Sequence, residues 1–228
     1  MGSRVVPIRI FLAFFFGLML CVAAKAQYND AGLWASLSLE VKLVKKVSAN
    51  IAQEFRFNEN ISELGTAFTD VGLSYKLNKH VQVAANYRFT QKRRIDDSYS
   101  LKHRVYVDVK YEKKAKPIQI VFRSRFQDEY SDIGRASDAG IPNYYLRNKL
   151  TFELDLDKAY MPYVSVELFS PLNNPREYLF DNIRSSAGIE YSLTKKQKID
   201  LYYMIQRELN VSRPQIDFIL GIGYSFKL

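Results

Sequence analysis

The sequence predicts an all-β fold, a transmembrane antiparallel β-barrel of about 10–12 strands preceded by a cleaved signal peptide. Three observations lead there. Hydrophobicity alternates with period 2 in segment after segment, short lysine-bearing turns recur between alternate segments, and the N-terminus carries an export pattern. The composition agrees: sixteen Tyr and fifteen Phe stand against ten Gly and seven Pro, and aromatic side chains fit a pleated surface better than a crowded helical turn.

The first element is a targeting segment, residues 1–26. Arg4 and Arg9 precede the apolar run Ile10–Leu20, and Ala24-Lys25-Ala26 supplies a small-x-small cleavage pattern before Gln27. The run is too short for a spanning helix, which needs about 20 apolar residues. Leu20 before Cys21 is the wrong residue for lipoprotein processing, which requires a small side chain there. Cleavage after Ala26 leaves the barrel domain 27–228 without cysteine, so disulfide and thiol chemistry are not expected of it.

Eleven strands follow, over 33–43, 47–57, 64–77, 80–90, 101–111, 118–128, 144–156, 160–169, 179–193, 197–207 and 215–227. The first alternates Leu33, Ala35, Leu37, Leu39, Val41 and Leu43 with Trp34, Ser36, Ser38, Glu40 and Lys42. The fourth alternates Val81, Val83, Ala85, Tyr87 and Phe89 with Gln82, Ala84, Asn86, Arg88 and Thr90. Helical spacing fits none of the eleven. Five turns share one grammar, an apolar or aromatic residue, one spacer, then lysine: Leu43 to Lys45, Leu77 to Lys79, Tyr111 to Lys113, Leu156 to Lys158 and Leu193 to Lys195, with the apolar position repeated at Leu228. Each repeat therefore reads as a hairpin.

The connections on the other side, 58–63, 91–100, 128–143, 170–178 and 208–214, are longer and collect Gly, Pro, Asn and Asp. Short turns on one rim and long loops on the other are the layout of a membrane-crossing barrel. Single-chain bacterial barrels have even strand counts, so an eleven-segment reading implies one misplaced segment and ten or twelve strands.

The polar positions carry long, opposed charges: Glu40, Lys42, Glu54, Arg56, Arg88, Arg104, Asp108, Arg123, Arg125, Arg147, Glu153, Glu167, Arg184, Glu190 and Asp217. Leu, Val, Ile, Phe, Tyr or Ala occupy the other face. In lipid every backbone group must be paired, which a closed sheet achieves while hiding charge in its lumen. Tyr75, Tyr87, Phe89, Tyr111, Phe126, Tyr144, Tyr191 and Phe226 fall near strand ends, where an interfacial aromatic girdle belongs. The competing fold, a secreted soluble β-barrel or sandwich binding a small apolar ligand, would have to bury all these apolar side chains inside itself.

The runs GLWASLSLEVKL, EFRFNEN, YKLNK with YRF, HRVYVDVKY with FRSRFQDE, and GIGYSFKL together resemble the uncharacterised outer-membrane barrels of Bacteroidetes grouped as domain of unknown function 2490. The resemblance covers nearly all of 27–228. It implies a barrel fold and an outer-membrane location, and supplies no catalytic residues. Such barrels tend to end in an aromatic residue read by the assembly machinery; this chain departs from that pattern by ending in Leu228, with Phe226 two places earlier on the same face.

The formal charge is +9, or +6 once Arg4, Arg9 and Lys25 are removed with the targeting segment. Its location separates two populations. Lys45, Lys46, Lys79, Lys113, Lys114, Lys116, Lys158, Lys195, Lys196 and Lys198 sit in the short turns; if these face the periplasm they meet anionic lipid head groups, an attraction of about 1 kcal/mol per lysine. Nucleic acid is not an expected partner, since no recognition motif is present.

Two roles are open for Glu40, Glu54, Arg56, Arg88, Arg104, Asp108, Arg123, Arg125, Arg147, Glu153, Glu167, Arg184 and Glu190: a closed structural network, or a constriction that selects anions. The network is the favoured reading, because buried charges must be paired and a barrel this small has little spare room. An enzyme would have to use His103 and Ser124, outward-facing and on neighbouring strands, as base and nucleophile of a lipid hydrolase; neither a third member nor an oxyanion motif accompanies them. Metal-ligand spacing and nucleotide fingerprints are absent from the sequence, so neither metal nor cofactor is expected, and the ligand stays unassigned.

Overall fold

A computed structural model describes residues 29–131, 143–173 and 178–228. The expected targeting segment and most of the 128–143 loop lie outside the described residues. The strands are β1 (Asn29–Val44), β2 (Val47–Asn58), β3 (Glu63–Lys76), β4 (Val81–Arg93), β5 (Tyr99–Ala115), β6 (Ile118–Ser131), β7 (Asn143–Leu154), β8 (Tyr160–Pro171), β9 (Asn182–Ser192), β10 (Gln197–Glu208) and β11 (Ile216–Lys227).

They form a closed barrel in which each strand pairs antiparallel with its sequence neighbour, and β1 pairs in parallel with β11. Every expected segment is a strand, and the expectation of an even count fails. Alternation locates strands but does not say how the first and last meet. Here both run from the long-loop rim towards the short-turn rim, and parallel pairs from Asn29↔Ile216 to Glu40↔Lys227 satisfy both edges. The chain end extends the seam: Leu228 N–H donates to the Glu40 carbonyl at 2.8 Å, and Lys42 N–H donates to the Leu228 carbonyl at 3.2 Å.

Followed round the circuit, the register climbs by about 14 residues, giving a strand tilt of about 45°. The climb is even, so a residue facing inward on one strand pairs only with inward residues all the way round. The two faces are therefore chemically distinct. Leu37, Leu220 and Val164 on the outside are 58%, 55% and 54% exposed, whereas inward Phe68 and Ile219 are 3% and 2% exposed. Apolar outside and polar inside removes the soluble barrel with an apolar ligand cavity.

The rims have local causes. Asn78 Oδ1 accepts from His80 N–H at 2.7 Å and Val81 N–H at 2.9 Å, closing the β3–β4 turn, and Thr194 Oγ1 does the same for Lys196 and Gln197 at 3.1 Å. Short polar side chains that mimic a backbone turn make such connections tight. Lys116 and Asp157 join neighbouring turns, and that hydrogen bond holds the Lys116 ammonium above the ordinary lysine range. On the opposite rim Glu59, Asn60 and Ile61 take left-handed φ of 52°, 56° and 69°. The Asp30 carboxylate accepts from Glu59 N–H at 3.1 Å and Asn60 N–H at 2.8 Å, which ties this loop to the start of β1.

Candidate functional site

The inward face of most strands contributes one large side chain at the waist of the lumen, and these alternate in chemistry. Arg147 lies over Phe169 at 4.2 Å, Phe169 under Arg184 at 4.7 Å, Arg184 over Trp34 at 5.1 Å and Trp34 under Arg56 at 3.5 Å. Arg56 reaches Phe68 at 4.9 Å, Phe68 lies under Arg88 at 3.6 Å, Arg88 reaches Tyr106 at 5.8 Å, and Tyr106 lies under Arg125 at 3.8 Å. Arg125 and Arg147 are register partners, so the belt closes on itself. Each contact of this kind contributes about 0.5–2 kcal/mol, more when desolvated.

Carboxylates hold the arginine edges while the rings hold their faces. Asp70 takes both Nε and Nη2 of Arg88 at 2.8 and 2.6 Å, and Asp108 takes Arg125 in the same fork at 2.7 and 2.8 Å. Glu54 accepts Arg56 Nε at 2.6 Å. Glu167 is the hub of the β6–β9 wall, at 2.6 Å from Arg123, 2.9 Å from Arg147 and 3.9 Å from Arg184. A guanidinium fixed on its faces and its edge is a pre-organised charge.

Two glycines make room for this belt. A Cβ at Gly221 would lie 2.0 Å from the Tyr202 ring, and one at Gly188 would lie 2.7 Å from Tyr163. The tyrosines therefore lie flat along the wall and leave a central cavity of about 320 Å³ lined by belt arginines, Arg123, Lys149, Tyr163, Asp200 and Tyr202. A second cavity of about 580 Å³ opens inside the short-turn rim, between lysines such as Lys76, Lys79 and Lys227 and the acids Glu40, Glu112 and Glu153.

Comparison with known proteins agrees with this architecture. Residues 31–217 match the family described as protein of unknown function, DUF2490. The chain belongs to that family. No curated protein matches it in sequence. Among solved structures, the DUF2490 barrel is similar to the NanC porin (TM-score 0.53, 14% identity, 87% of this chain and 98% of that one). It is also similar to a bacterial polysaccharide outer-membrane secretin (0.52, 9%, 78% and 63%) and the β-domain of the Bordetella autotransporter BrkA (0.50, 11%, 79% and 82%). At such identities the likeness is one of fold, and the fold is that of outer-membrane barrels.

The DUF2490 barrel divides the expected lumen residues among three levels. Glu54, Arg56, Arg88, Asp108, Arg123, Arg125, Arg147, Glu167 and Arg184 form the waist. Arg104 lies nearer the long loops, paired with Glu129, which Lys102 also reaches at 3.0 Å. Glu40, Glu153 and Glu190 belong to the short-turn cavity: Glu40 meets Lys227 at 2.7 Å across the seam, Glu190 meets Lys198 at 2.6 Å, and Glu153 accepts from Gln119 at 2.6 Å. Lys198, expected on the rim, thus turns into the lumen. The expected lumen set lacks Asp70, Glu129, Lys149 and Asp200 and the belt aromatics, of which Trp34 alone is set among polar positions by the alternation of its strand; inward parity is the signal available for each.

The lipid-facing pair separates. His103 registers with Tyr130 and Phe89, and its Nδ1 lies 2.6 Å from the Tyr87 hydroxyl. Ser124 registers with Val109 and Asn148. Six residues along a strand is about 20 Å, so this pair forms no catalytic constellation. The sequence placed both on neighbouring strands without fixing their height. Among the described residues no group of three His, Asp or Glu is arranged to hold a metal ion.

Proposed function

We propose that this protein is a narrow outer-membrane pore whose lumen favours small anions. The observation that carries the proposal is the arginine–aromatic belt, in which Arg56, Arg88, Arg125, Arg147 and Arg184 are held at one level by rings and carboxylates. Arg123 and Lys149 join the same cavity wall, and the acids at that level are Glu54, Asp70, Asp108, Glu167 and Asp200. Cations therefore outnumber carboxylates, and fixed charge inside a narrow, low-dielectric conduit selects the opposite sign. Lipid surrounds the exterior, the short turns face the periplasm with their lysines against anionic head groups, and the C-terminal strand is the segment read by the assembly machinery.

Refolded protein in planar bilayers under a KCl gradient should give small unitary steps and a reversal potential displaced towards that of chloride. Replacing Arg56 and Arg184 by Gln should move the reversal potential towards zero. Silent membranes would exclude the pore, and cation selectivity would exclude its preference for anions. A second reading, a closed structural barrel, is favoured by the Glu167 hub, where three guanidinium groups fill the wall around one carboxylate. Silence in the same experiment is its expected result.

A further inference from the structure

On the wall formed by β6 to β9, three guanidinium groups converge on one carboxylate and a fourth cation, Lys149, stands beside them. Arg123, Lys149, Glu167 and Arg184 stand in one row of register partners across the four strands. Glu167 is taken by Arg123, Arg147 and Arg184. Lys149 lies between Arg123 and Glu167 in this row, yet among the described residues no carboxylate lies within ion-pair distance of it. Asp200, the other acid on this side of the cavity, accepts the Tyr163 hydroxyl at 3.0 and 3.1 Å. Arg123 Nε is buried and has no hydrogen-bond partner. That nitrogen is sealed from solvent, so what the wall presents to the same 320 Å³ cavity is the Lys149 ammonium, which has no carboxylate partner among the described residues, and the rest of the Arg123 guanidinium.

Buried like charges repel strongly. One oxyanion answers that repulsion, since it brings negative charge and several acceptor lone pairs to the same point. We propose that the central cavity binds a single small oxyanion, a carboxylate or phosphate group, between Lys149 Nζ and the Arg123 guanidinium. The cavity has room for about ten waters at the liquid volume of roughly 30 Å³ each, which suits a small anion with part of its hydration shell and not a folded or branched polymer. The rim lysines are poor competitors, because exposed ammonium groups are solvated and screened. This site names the solute class of the pore and rests on that reading only for the route by which the anion arrives.

Trp34 is the chain's one tryptophan and lines this cavity under Arg56 and Arg184, so its emission reports on occupancy. The full chain, refolded in detergent micelles, is titrated with inorganic phosphate and with acetate, and with chloride at matched ionic strength. Saturable change in Trp34 emission is expected with phosphate or acetate. Half-saturation should rise at least tenfold in Lys149→Met, recover in Lys149→Arg, and stay unchanged in the rim variant Lys158→Met. Lys149→Met removes a surplus charge, so its barrel should keep the heat-dependent gel migration of the parent, and phosphate should raise its unfolding temperature less than that of the parent. Equal saturation by chloride would overturn the oxyanion assignment. Absence of saturation, or a Lys149→Met curve matching the parent, would overturn the site. Saturable binding by a barrel that is silent in bilayers would keep the site and remove the pore; conductance without saturable binding would do the reverse.

Discussion

At the scale of single residues, Glu167 has the most to lose. Glu167→Gln keeps the shape and removes the one carboxylate that, among the described residues, pairs with Arg123 and Arg147, so it should destabilise the refolded barrel by about 3 kcal/mol or more in urea unfolding. The Gly221→Val barrel should also unfold earlier, by about 1–3 kcal/mol, because its Cβ would collide with the Tyr202 ring and drive it into the lumen. The arginines of the waist were legible from the sequence because parity alone placed them inward. Their partners were not. Trp34, Phe68 and Phe169 share parity with Glu54, Asp70 and Glu167, but aromatic residues in a barrel are expected at the lipid interface. Only the packed structure reveals rings used as spacers between guanidinium groups.

At the scale of the strand, one substitution has opposite consequences on its two faces. Val107 is outward on β5 and 41% exposed, so Val107→Arg places a charge in lipid and should cost about 2–4 kcal/mol if it lies near the bilayer midplane. Ile219 faces inward on β11 beside Gly32 at the seam, and Ile219→Ala should cost about 2–5 kcal/mol by leaving a cavity. Urea titration in one lipid system checks both. Period 2 identified all eleven strands, because a sheet with lipid on one side and charge on the other imposes strict alternation at nearly every position. How β1 and β11 meet was not legible. Closure is decided by the pairing of two edges 187 residues apart in the chain, and neither edge advertises its partner's direction in its own pattern.

At the scale of the whole molecule, the proposed orientation predicts which loops are reached from outside. A protease site inserted at Asn60 should be cut in intact cells, whereas one inserted at Lys196 should be cut only after the outer membrane is opened. The parallel seam adds a constraint of its own. Because β1 starts at one rim and β11 finishes at the other, their free ends are separated by the height of the barrel, about 35 Å from strand length and tilt. In a barrel with paired antiparallel ends, a few residues suffice to join them and the chain can be reopened elsewhere. Here a joining peptide would have to run through the narrow waist between Arg56, Arg88 and their neighbours, or along the lipid. A circular permutant of this fold therefore needs a linker that crosses the full height of the barrel, a requirement that antiparallel ends would not impose.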